Sequence, residues 1–271
     1  MSSLTVVVPF WDLPDQLLQR ALDSVERAAP RGTIVVVVDN ASAARPKCAA
    51  DDIIRLPHRV TVGAARNAGL SAVQTRYCLF LDADDELLPG AASALVDVAR
   101  RDDLQVVAGR ILGRREGLAG AWLWGYPPGW VWRLRNHPRA LGVVNVYRNA
   151  VPVVGAAVLR TDAARRAGGF GDSNRGEDWV LSAGMALAGS AALLDWPCLL
   201  VQVRPDSLST KDESESAARR TRREVRGRLY RAGPLAGLLA LSAVPIHVYS
   251  ARRRARHRHS EASGRPGTVH T

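Results

Sequence analysis

The sequence predicts an α/β fold in which helices flank a mainly parallel sheet. Short β-branched runs alternate with segments of helical periodicity from Leu4 to Ala108, and such alternation is typical of parallel strands joined by right-handed crossovers. The 271 residues are 47% hydrophobic, which is enough apolar material to bury the core of one domain with appendages.

The predicted elements follow one another in chain order. The first strand, Leu4–Val8, is stopped by Pro9, and apolar residues then recur at helical spacing from Leu17 to Val25. The remaining elements of this half are strands at Thr33–Val38, Ile53–Leu56, around Cys78 and at Leu104–Ala108, and helices opening at Val62 and spanning Ala91–Arg101.

The pattern changes after Gly109. Up to about Val143 the sequence is rich in Gly, Pro and Trp, and we expect it to be too irregular for a core layer. The elements predicted beyond it are a strand at Val153–Leu159, a helix from about Glu177 to Ala188, and short strands near Leu193 and Leu200.

The most informative stretch is an apolar run that ends in clustered carboxylates. Residues 77–81 are apolar, and Asp82, Asp84 and Asp85 follow at once. Unpaired charge is costly in a core, so the carboxylates mark the carboxyl end of a strand, where open α/β sheets bind ligands. Strand alternation would point Asp82 and Asp84 the same way. Two neighbouring acids favour a hard divalent cation with oxygen ligands.

Two nucleotide-binding motifs are missing from the sequence. No GxGxxG follows the first strand and no GxxxxGK[ST] occurs, which disfavours a dinucleotide dehydrogenase and a P-loop enzyme. Phosphate charge would then be met by a metal and by arginine.

Cysteine usage and the N-terminus predict a cytoplasmic protein. Cys48, Cys78 and Cys198 show no CxxC spacing and are expected to be reduced thiols. Residues 1–11 lack a basic n-region, so no signal peptide is predicted.

The net charge of +11 is concentrated near the C-terminus. Residues 219–258 hold twelve arginines and a single acid, Glu224, so the rest of the chain sums to zero. The apolar stretch 234–249 within this segment is shorter than the roughly 20 residues of a spanning helix.

Two interpretations of this segment stay open. One is peripheral contact of residues 219–258 with the inner face of the cell membrane, and the other is a helix packed on the domain with a solvated arginine-rich tail. Residues 259–271 are predicted to be disordered.

Five motifs, in this order and spacing, resemble the family 2 glycosyltransferases of GT-A fold. The match covers roughly residues 4–210 and is far more specific than any single motif. The motifs are Thr5-Val6-Val7-Val8-Pro9, Val38-Asp39-Asn40-Ala41-Ser42, Ala65-Arg66-Asn67-Ala68-Gly69, Leu81-Asp82-Ala83-Asp84-Asp85 and Gly176-Glu177-Asp178-Trp179.

The resemblance implies a GT-A (Rossmann-like) domain over residues 1–210. Residues 1–109 would bind the nucleotide and 110–210 the acceptor, followed by a basic and apolar helical extension at 211–258. The donor would be a nucleoside-diphosphate sugar, with Mn²⁺ or Mg²⁺ bridging the diphosphate. The implied donor-site residues are Pro9, Asp39, Arg66 and Asp82, with Asp84 as the metal ligand.

On the acceptor side the resemblance implies that Asp178 is the base of an inverting displacement. Glu177 would orient the acceptor or cap the helix, with Trp179 as a further supporting residue. The family often places a His before a Ser-Leu-Ser segment, and here Arg204 stands there instead. An arginine cannot bind a cation, although it could neutralise the diphosphate.

Several residues keep a plainer interpretation on sequence alone. Asp39 suits a turn, Arg66 suits the start of a helix, and the acids Glu177 and Asp178 suit a helix's first turn. A cluster of aromatic residues would stack on sugars, lie at a membrane interface or pack in the core. The cluster consists of Trp122, Trp124, Tyr126, Trp130 and Trp132.

The predicted function is an inverting glycosyltransferase acting on a hydroxyl acceptor, such as a lipid-linked or cell-envelope glycan. The alternatives are a sugar-phosphate nucleotidyltransferase and a catalytically silent nucleotide-sugar-binding or membrane scaffold protein. Nucleic-acid binding through the arginine-rich tail is a further alternative, disfavoured because the basic charge is confined to one segment.

Overall fold

The first four strands form a parallel half-sheet, and Asp39 and Asp82 lie at the carboxyl ends of two of these strands. In a computed structural model of the protein they are β1 (Leu4–Phe10), β2 (Ile34–Asp39), β3 (Asp52–Arg55) and β4 (Tyr77–Phe80). Their order is β3-β2-β1-β4, and all three pairings are parallel. The structure describes residues 3–115, 120–186, 190–203, 215–232, 236, 238 and 241–242.

Helices cover both faces of this half-sheet. The strand residues Val6 and Val8 share a buried cluster with α1 (Asp15–Ala28) and α3 (Ala91–Arg101). Val7, whose side chain points to the other face, packs in a second cluster with α2 (Val62–Ala72). The predicted alternation of strands and helices is confirmed over this half of the chain.

The second half of the sheet is mixed in direction. It comprises β5 (Glu86–Leu87), β6 (Val106–Arg115), β7 (Trp122–Leu123), β8 (Ala157–Arg160) and β9 (Ala191–Val203). Strand β8 lies antiparallel between β4 and β6, whereas β6 and β9 are parallel. Parallel pairing therefore holds for β1–β4 and for β6 with β9, and the α/β fold is as predicted.

The Gly-, Pro- and Trp-rich region contains more regular structure than the sequence indicated. Strand β6 continues to Arg115, a 3₁₀ helix spans Gly129–Leu134, and α4 spans Pro138–Tyr147. Trp132 and Leu141 are buried in a core cluster, so the expectation that no core layer forms here was wrong. Proline at the first position of α4 starts that helix because its missing N–H has no helical partner to lose.

Two other boundaries differ from prediction. The strands expected near Leu193 and Leu200 are one strand, β9, whose register with β6 shifts around Pro197. Proline cannot donate to the sheet ladder and is accommodated at such an irregularity. Strand β8 begins at Ala157 rather than Val153.

The remaining helices build a layer beyond the sheet. They are α5 (Thr161–Arg166), α6 (Glu177–Ala186) and α7 (Glu215–Ala232). Val225 and Leu229 of α7 pack on Val180 and Ala183 of α6, so this part of the basic segment is a helix packed on the domain. Among the described residues, none of the helices is long and apolar enough to cross a bilayer.

The close packing of α2 on the sheet predicts a steric effect at Gly69. A methyl group at this position would overlap the Val7 side chain and lie 3.0 Å from Cγ2 of Val38. Overpacking of this kind costs about 1–3 kcal/mol, so we expect Gly69→Ala to lower the melting temperature by several degrees in a calorimetric scan.

Gly227→Ala is the matched control, because Gly227 lies within α7 and a methyl group there would meet nothing within 4 Å. It should raise stability by up to about 1 kcal/mol through helix propensity. Equal effects of the two substitutions would contradict the packing argument.

Candidate active site

The ends of β2 and β4 bring two of the predicted acids to one edge of the sheet. Asp39 stands opposite Phe10 in the β1–β2 register, and Phe80, two residues before Asp82, stands opposite Val7. The sequence predicted that a ligand binds at this edge of the sheet. Residues 83–84 form a turn closed by the Asp85 N–H to the Asp82 carbonyl at 3.0 Å, so the strand alternation expected for Asp82 and Asp84 does not apply.

A buried arginine connects the two halves of this edge. Arg66 lies on α2, whose first turn is capped by the Thr61 hydroxyl accepting from the Ala64 N–H at 3.1 Å. The Arg66 side chain is 4% exposed; its Nη2 donates to Oδ1 of Asp82 at 2.5 Å and its Nη1 donates to Glu177. One guanidinium therefore joins the turn after β4 to the start of α6.

The charges at this edge are unequal, with three carboxylates around one guanidinium. Burial alone would lower the pKa of Arg66, but the carboxylates of Asp82, Glu177 and Asp178 raise it above its ordinary value. Burial and, to a smaller extent, the charge of Asp178 raise the pKa of Glu177 to about 7 against the opposing effect of Arg66. Oε2 of Glu177 and Nε of Arg66 are buried without a hydrogen bond to any described residue.

Asp178 is held by a network that the sequence did not reveal. Nδ2 of Asn149 donates to its Oδ2 at 2.7 Å, and the Ser182 hydroxyl donates to Oδ1 of Asn149 at 3.2 Å. Burial raises the pKa of Asp178, while the hydrogen bond from Asn149 opposes that rise. A carboxylate with raised pKa and a fixed orientation suits general-base chemistry. No sequence motif marks Asn149, which lies 29 positions away.

The loop that leads into α6 is fastened from two sides. Asn67 of α2 exchanges two hydrogen bonds with the backbone of Phe170, at 3.0 and 2.8 Å. From α7, Nη1 of Arg228 donates to the carbonyls of Ala167 at 2.5 Å and Gly169 at 2.6 Å. Gly176 has a φ of +72° and turns the chain into the helix that starts with Glu177.

Asp39 is fully buried and organises the loop after β2. Its Oδ1 accepts from the Ser42 N–H at 2.9 Å, and its Oδ2 accepts from Arg55 at 2.7 Å. The loop is also joined to the end of β1, because the Ala43 N–H donates to Oδ1 of Asp12 at 2.8 Å. Asp39 therefore has a structural role here in addition to the base contact that the resemblance implies.

Trp11 is a second feature of this corner that the sequence did not single out. Its ring is 41% exposed, and the Arg59 guanidinium carbon lies 3.2 Å from the ring centroid. Because Trp11 follows β1, the exposed ring stands at the same edge as Asp39.

The aromatic cluster divides between core and surface. Trp132 is buried and its Nε1 donates to the Pro127 carbonyl at 3.2 Å, whereas Trp122 and Trp130 are exposed. Trp122 and Trp124 stack with ring centroids 6.0 Å apart. Core packing thus accounts for Trp132 and in part for Trp124 and Tyr126, while the rings of Trp122 and Trp130 remain available to a ligand or surface.

The other predicted site residues have varied positions. Pro9 lies within β1 opposite Val38, and Trp179 donates from Nε1 to the Asn145 carbonyl at 2.6 Å, so Trp179 braces α6 against α4. Asp84 lies in the turn after β4, and its neighbour Asp85 accepts from the Gln202 N–H at 3.1 Å. Arg204 lies outside the described residues.

Asp84 is the residue that the resemblance assigns to a divalent metal. In the parts of the chain that the structure describes, no group of three or more His, Cys, Asp or Glu side chains is arranged to hold an ion. Mg²⁺ commonly takes one or two carboxylates together with water and substrate phosphates. Asp84 together with the diphosphate of a bound donor fits a site of this composition.

The family assignment comes from a sequence model. The model described as Glycosyl transferase family 2 matches residues 5–165, which is more than half of the chain. The chain belongs to this family. The predicted family resemblance is therefore confirmed.

Individual relatives agree with the family. The chain is 27% identical over 113 residues to the uncharacterized glycosyltransferase YibD of Escherichia coli K12. That match covers 39% of this chain and only a third, 33%, of the relative's length.

Solved structures of S. aureus TarS share the fold. TarS 1–349 in complex with UDP-GlcNAc matches with a TM-score of 0.65 at 14% identity, covering 91% of this chain and 72% of that one. A second TarS structure matches with a TM-score of 0.61 at 15% identity, covering 86% of this chain and 40% of that one. At such identities the match shows the GT-A-like fold, and the roles of individual residues in this family 2 chain stay predictions.

The pKa of Glu177 predicts how stability depends on pH. Its folded value of about 7 lies above the ordinary 4.5, so the folded state binds more protons between these values. The raised pKa contributes up to about 3 kcal/mol to the free energy of unfolding. This stabilisation is fully present below about pH 4.5 and is lost as the pH rises through 7.

Glu177→Gln keeps an acceptor for Arg66 but removes the titration. We therefore expect the wild type to lose stability relative to Glu177→Gln between about pH 5 and 8, measured by urea unfolding at each pH. If the free energy of unfolding of the wild type does not fall relative to that of Glu177→Gln over this range, Glu177 is ionised throughout and the prediction is wrong.

Proposed function

We propose that this family 2 chain is an inverting glycosyltransferase that uses a nucleoside-diphosphate sugar and a hydroxyl acceptor. The observation that carries the proposal is the buried guanidinium of Arg66, which holds Asp82 of the donor side and Glu177, the neighbour of Asp178, at one edge of the sheet. The UDP-GlcNAc named for the similarly folded TarS supports a donor of this class.

The donor would lie across the ends of β1, β2 and β4. The exposed ring of Trp11 offers a stacking surface for the base beside Asp39, whose loop is already ordered. Asp84 would hold Mn²⁺ or Mg²⁺, which when bound neutralises charge on the diphosphate. Pro9 and Asp82 complete the predicted donor side, with residues 110–210 as the acceptor side.

Asp178 acts in this proposal as the general base. Its carboxylate takes the proton of the acceptor hydroxyl as the acceptor oxygen bonds to the anomeric carbon. The bond from that carbon to the diphosphate oxygen breaks on the opposite face, and its electron pair leaves with the diphosphate. A single displacement of this kind inverts the anomeric configuration. The hydrogen bond from Asn149 holds this carboxylate in a fixed orientation.

Asp178→Asn should reduce transfer by about 100-fold or more while nucleotide affinity stays nearly unchanged, because the amide cannot accept the proton. Transfer is measured with the donor found in a thermal-shift screen of nucleoside diphosphates and their sugars, run with Mn²⁺, with Mg²⁺ and with EDTA. Ligand at about 100 times its dissociation constant adds roughly 2.7 kcal/mol, which is a readable rise in melting temperature.

Asp23→Asn is the control for this experiment, since Asp23 is an exposed residue of α1 that bonds only locally, to Gln19 at 2.7 Å. It should keep wild-type turnover. Loss of nucleotide affinity in Asp178→Asn would contradict the role of Asp178, and no shift with any nucleotide would favour a catalytically silent scaffold.

A peripheral membrane contact and a lipid-linked acceptor are supported by the outer face of α7 and α4. Arg219, Arg220 and Arg223 of α7 are exposed, and Leu238 and Leu241 beyond it are 62% and 55% exposed. The Tyr147 and Ser242 hydroxyls lie 2.7 Å apart, which joins this surface to α4. Asn149, the partner of Asp178, lies two residues after the end of α4. Arginines beside exposed apolar side chains suit an anionic lipid surface next to the acceptor side.

This contact predicts binding to vesicles that contain phosphatidylglycerol and weak binding to phosphatidylcholine alone, measured by co-sedimentation. Each arginine near an anionic surface contributes about 1 kcal/mol, so Arg219→Gln with Arg220→Gln should weaken binding roughly 30-fold. Arg100→Gln with Arg101→Gln, two exposed positions on α3, is the control for charge. Equal losses in both pairs, or binding to nucleic acid but not to vesicles, would contradict a specific membrane face.

A further inference from the structure

The hydroxyl of Tyr126 is buried but makes no hydrogen bond with any residue that the structure describes. Buried polar groups are hydrogen-bonded in the great majority of cases, and an unsatisfied one destabilises the folded protein. Such a group therefore calls for a physical explanation. Its position relative to the carboxylates of the active site supplies one.

The segment that holds Tyr126 lies near the residue that orients Asp178. Tyr126 packs against the core cluster on one face of the sheet. The Arg148 guanidinium carbon lies 6.0 Å from the ring centroid of Trp130, four residues after Tyr126, and the residue next to Arg148, Asn149, donates to Asp178. The chain on both sides of Tyr126 is anchored: the Trp124 N–H donates to the Ile111 carbonyl at 2.9 Å, and Nε1 of Trp132 donates to the Pro127 carbonyl at 3.2 Å. The hydroxyl is therefore held in place by its surroundings.

The hydroxyl also lies within electrostatic reach of the proposed base. Burial raises the pKa of Tyr126 well above its ordinary value, and the negative charge of Asp178 raises it further, while Arg148 opposes both. The hydroxyl is thus protonated and able to donate. Asp178 takes its hydrogen bond from Asn149 instead, so the Tyr126 proton is left for another acceptor.

We propose that the Tyr126 hydroxyl is a substrate-binding group, which donates a hydrogen bond to a hydroxyl of the sugar or acceptor bound beside Asp178. This rests on the proposed transfer reaction, in which the reacting hydroxyl and the anomeric carbon meet beside Asp178. A hydroxyl ligand has the required chemistry, since it accepts from Tyr126 while donating its own proton to a carboxylate.

The proposal predicts opposite effects on stability and on activity. In the free protein the unsatisfied hydroxyl is a cost, so Tyr126→Phe should raise the melting temperature by about 2 °C or more. With substrate present the same change removes a hydrogen bond and should lower kcat/KM about tenfold. A residue that only supports the fold would not raise stability and lower activity together.

Tyr77→Phe is the matched control. The Tyr77 hydroxyl is likewise buried without a hydrogen bond to a described residue, but Tyr77 is the first residue of β4, at the opposite end of the strand from Asp82. Its removal should raise the melting temperature to a similar extent and leave turnover unchanged.

The experiment uses the full chain and the donor found among the nucleoside diphosphates and their sugars. Weaker affinity of Tyr126→Phe for the nucleotide sugar, with unchanged affinity for the nucleoside diphosphate, supports a hydroxyl on the transferred sugar. Unchanged donor affinity with a higher acceptor KM or lower kcat supports a hydroxyl on the acceptor.

Two results would overturn the proposal while leaving the transfer reaction intact. One is a lower melting temperature in Tyr126→Phe, because the hydroxyl would then have a partner within the protein or a bound water. The other is wild-type donor affinity, KM and kcat in this variant. If the wild type binds no nucleotide sugar at all, the proposed function fails and the assignment of Tyr126 fails with it.

Discussion

The arrangement of the candidate active site depends on one buried cation, the guanidinium of Arg66. Arg66 is 3% exposed, and a guanidinium removed from water is tolerated only where carboxylates surround it. Asp82 comes from the turn after β4 and Glu177 from the first position of α6, 111 residues from Arg66 in sequence. Because the buried Arg66 needs both carboxylates, α2, the turn after β4 and the start of α6 are held together. Asp178, the residue after Glu177, is brought to the same place.

The segment that bears Glu177 and Asp178 is built by elements that lie apart in the chain. Helix α2 holds Phe170 through Asn67, and α7 holds Ala167 and Gly169 through Arg228. Gly63 and Gly171 approach so closely that a side chain at Gly63 would overlap the Gly171 carbonyl. Helix α7 follows the segment matched by the family model, residues 5–165, yet it takes part in positioning the acidic pair. The basic C-terminal helix is therefore structural on its inner face, whatever its outer arginines contact.

Three of the five buried side-chain atoms that lack a hydrogen bond to a described residue belong to Arg66, Glu177 and Tyr126. Nε of Arg66, Oε2 of Glu177 and the Tyr126 hydroxyl are all buried without hydrogen bonds to described residues, and three carboxylates share one guanidinium. Each of these features lowers the stability of the free protein. Each is also a group that a charged, hydroxyl-rich substrate could satisfy, which is a common relation between stability and function at binding sites.

Local sequence determined a large part of this protein. Hydrophobic runs and periodicity located β1, β2 and α1, and the abrupt change from apolar residues to carboxylates placed Asp82 and Asp39 at strand ends. Only the tertiary structure showed that β8 runs antiparallel, that α4 lies within a region without periodicity, and that Asn149 orients Asp178. The physical reason is the separation in sequence of the residues that interact. Periodicity and strand ends arise from the preferences of neighbouring residues, whereas strand direction, the pairing of a buried charge and the partner of a carboxylate are decided by contacts between distant segments, which leave no local pattern in the sequence.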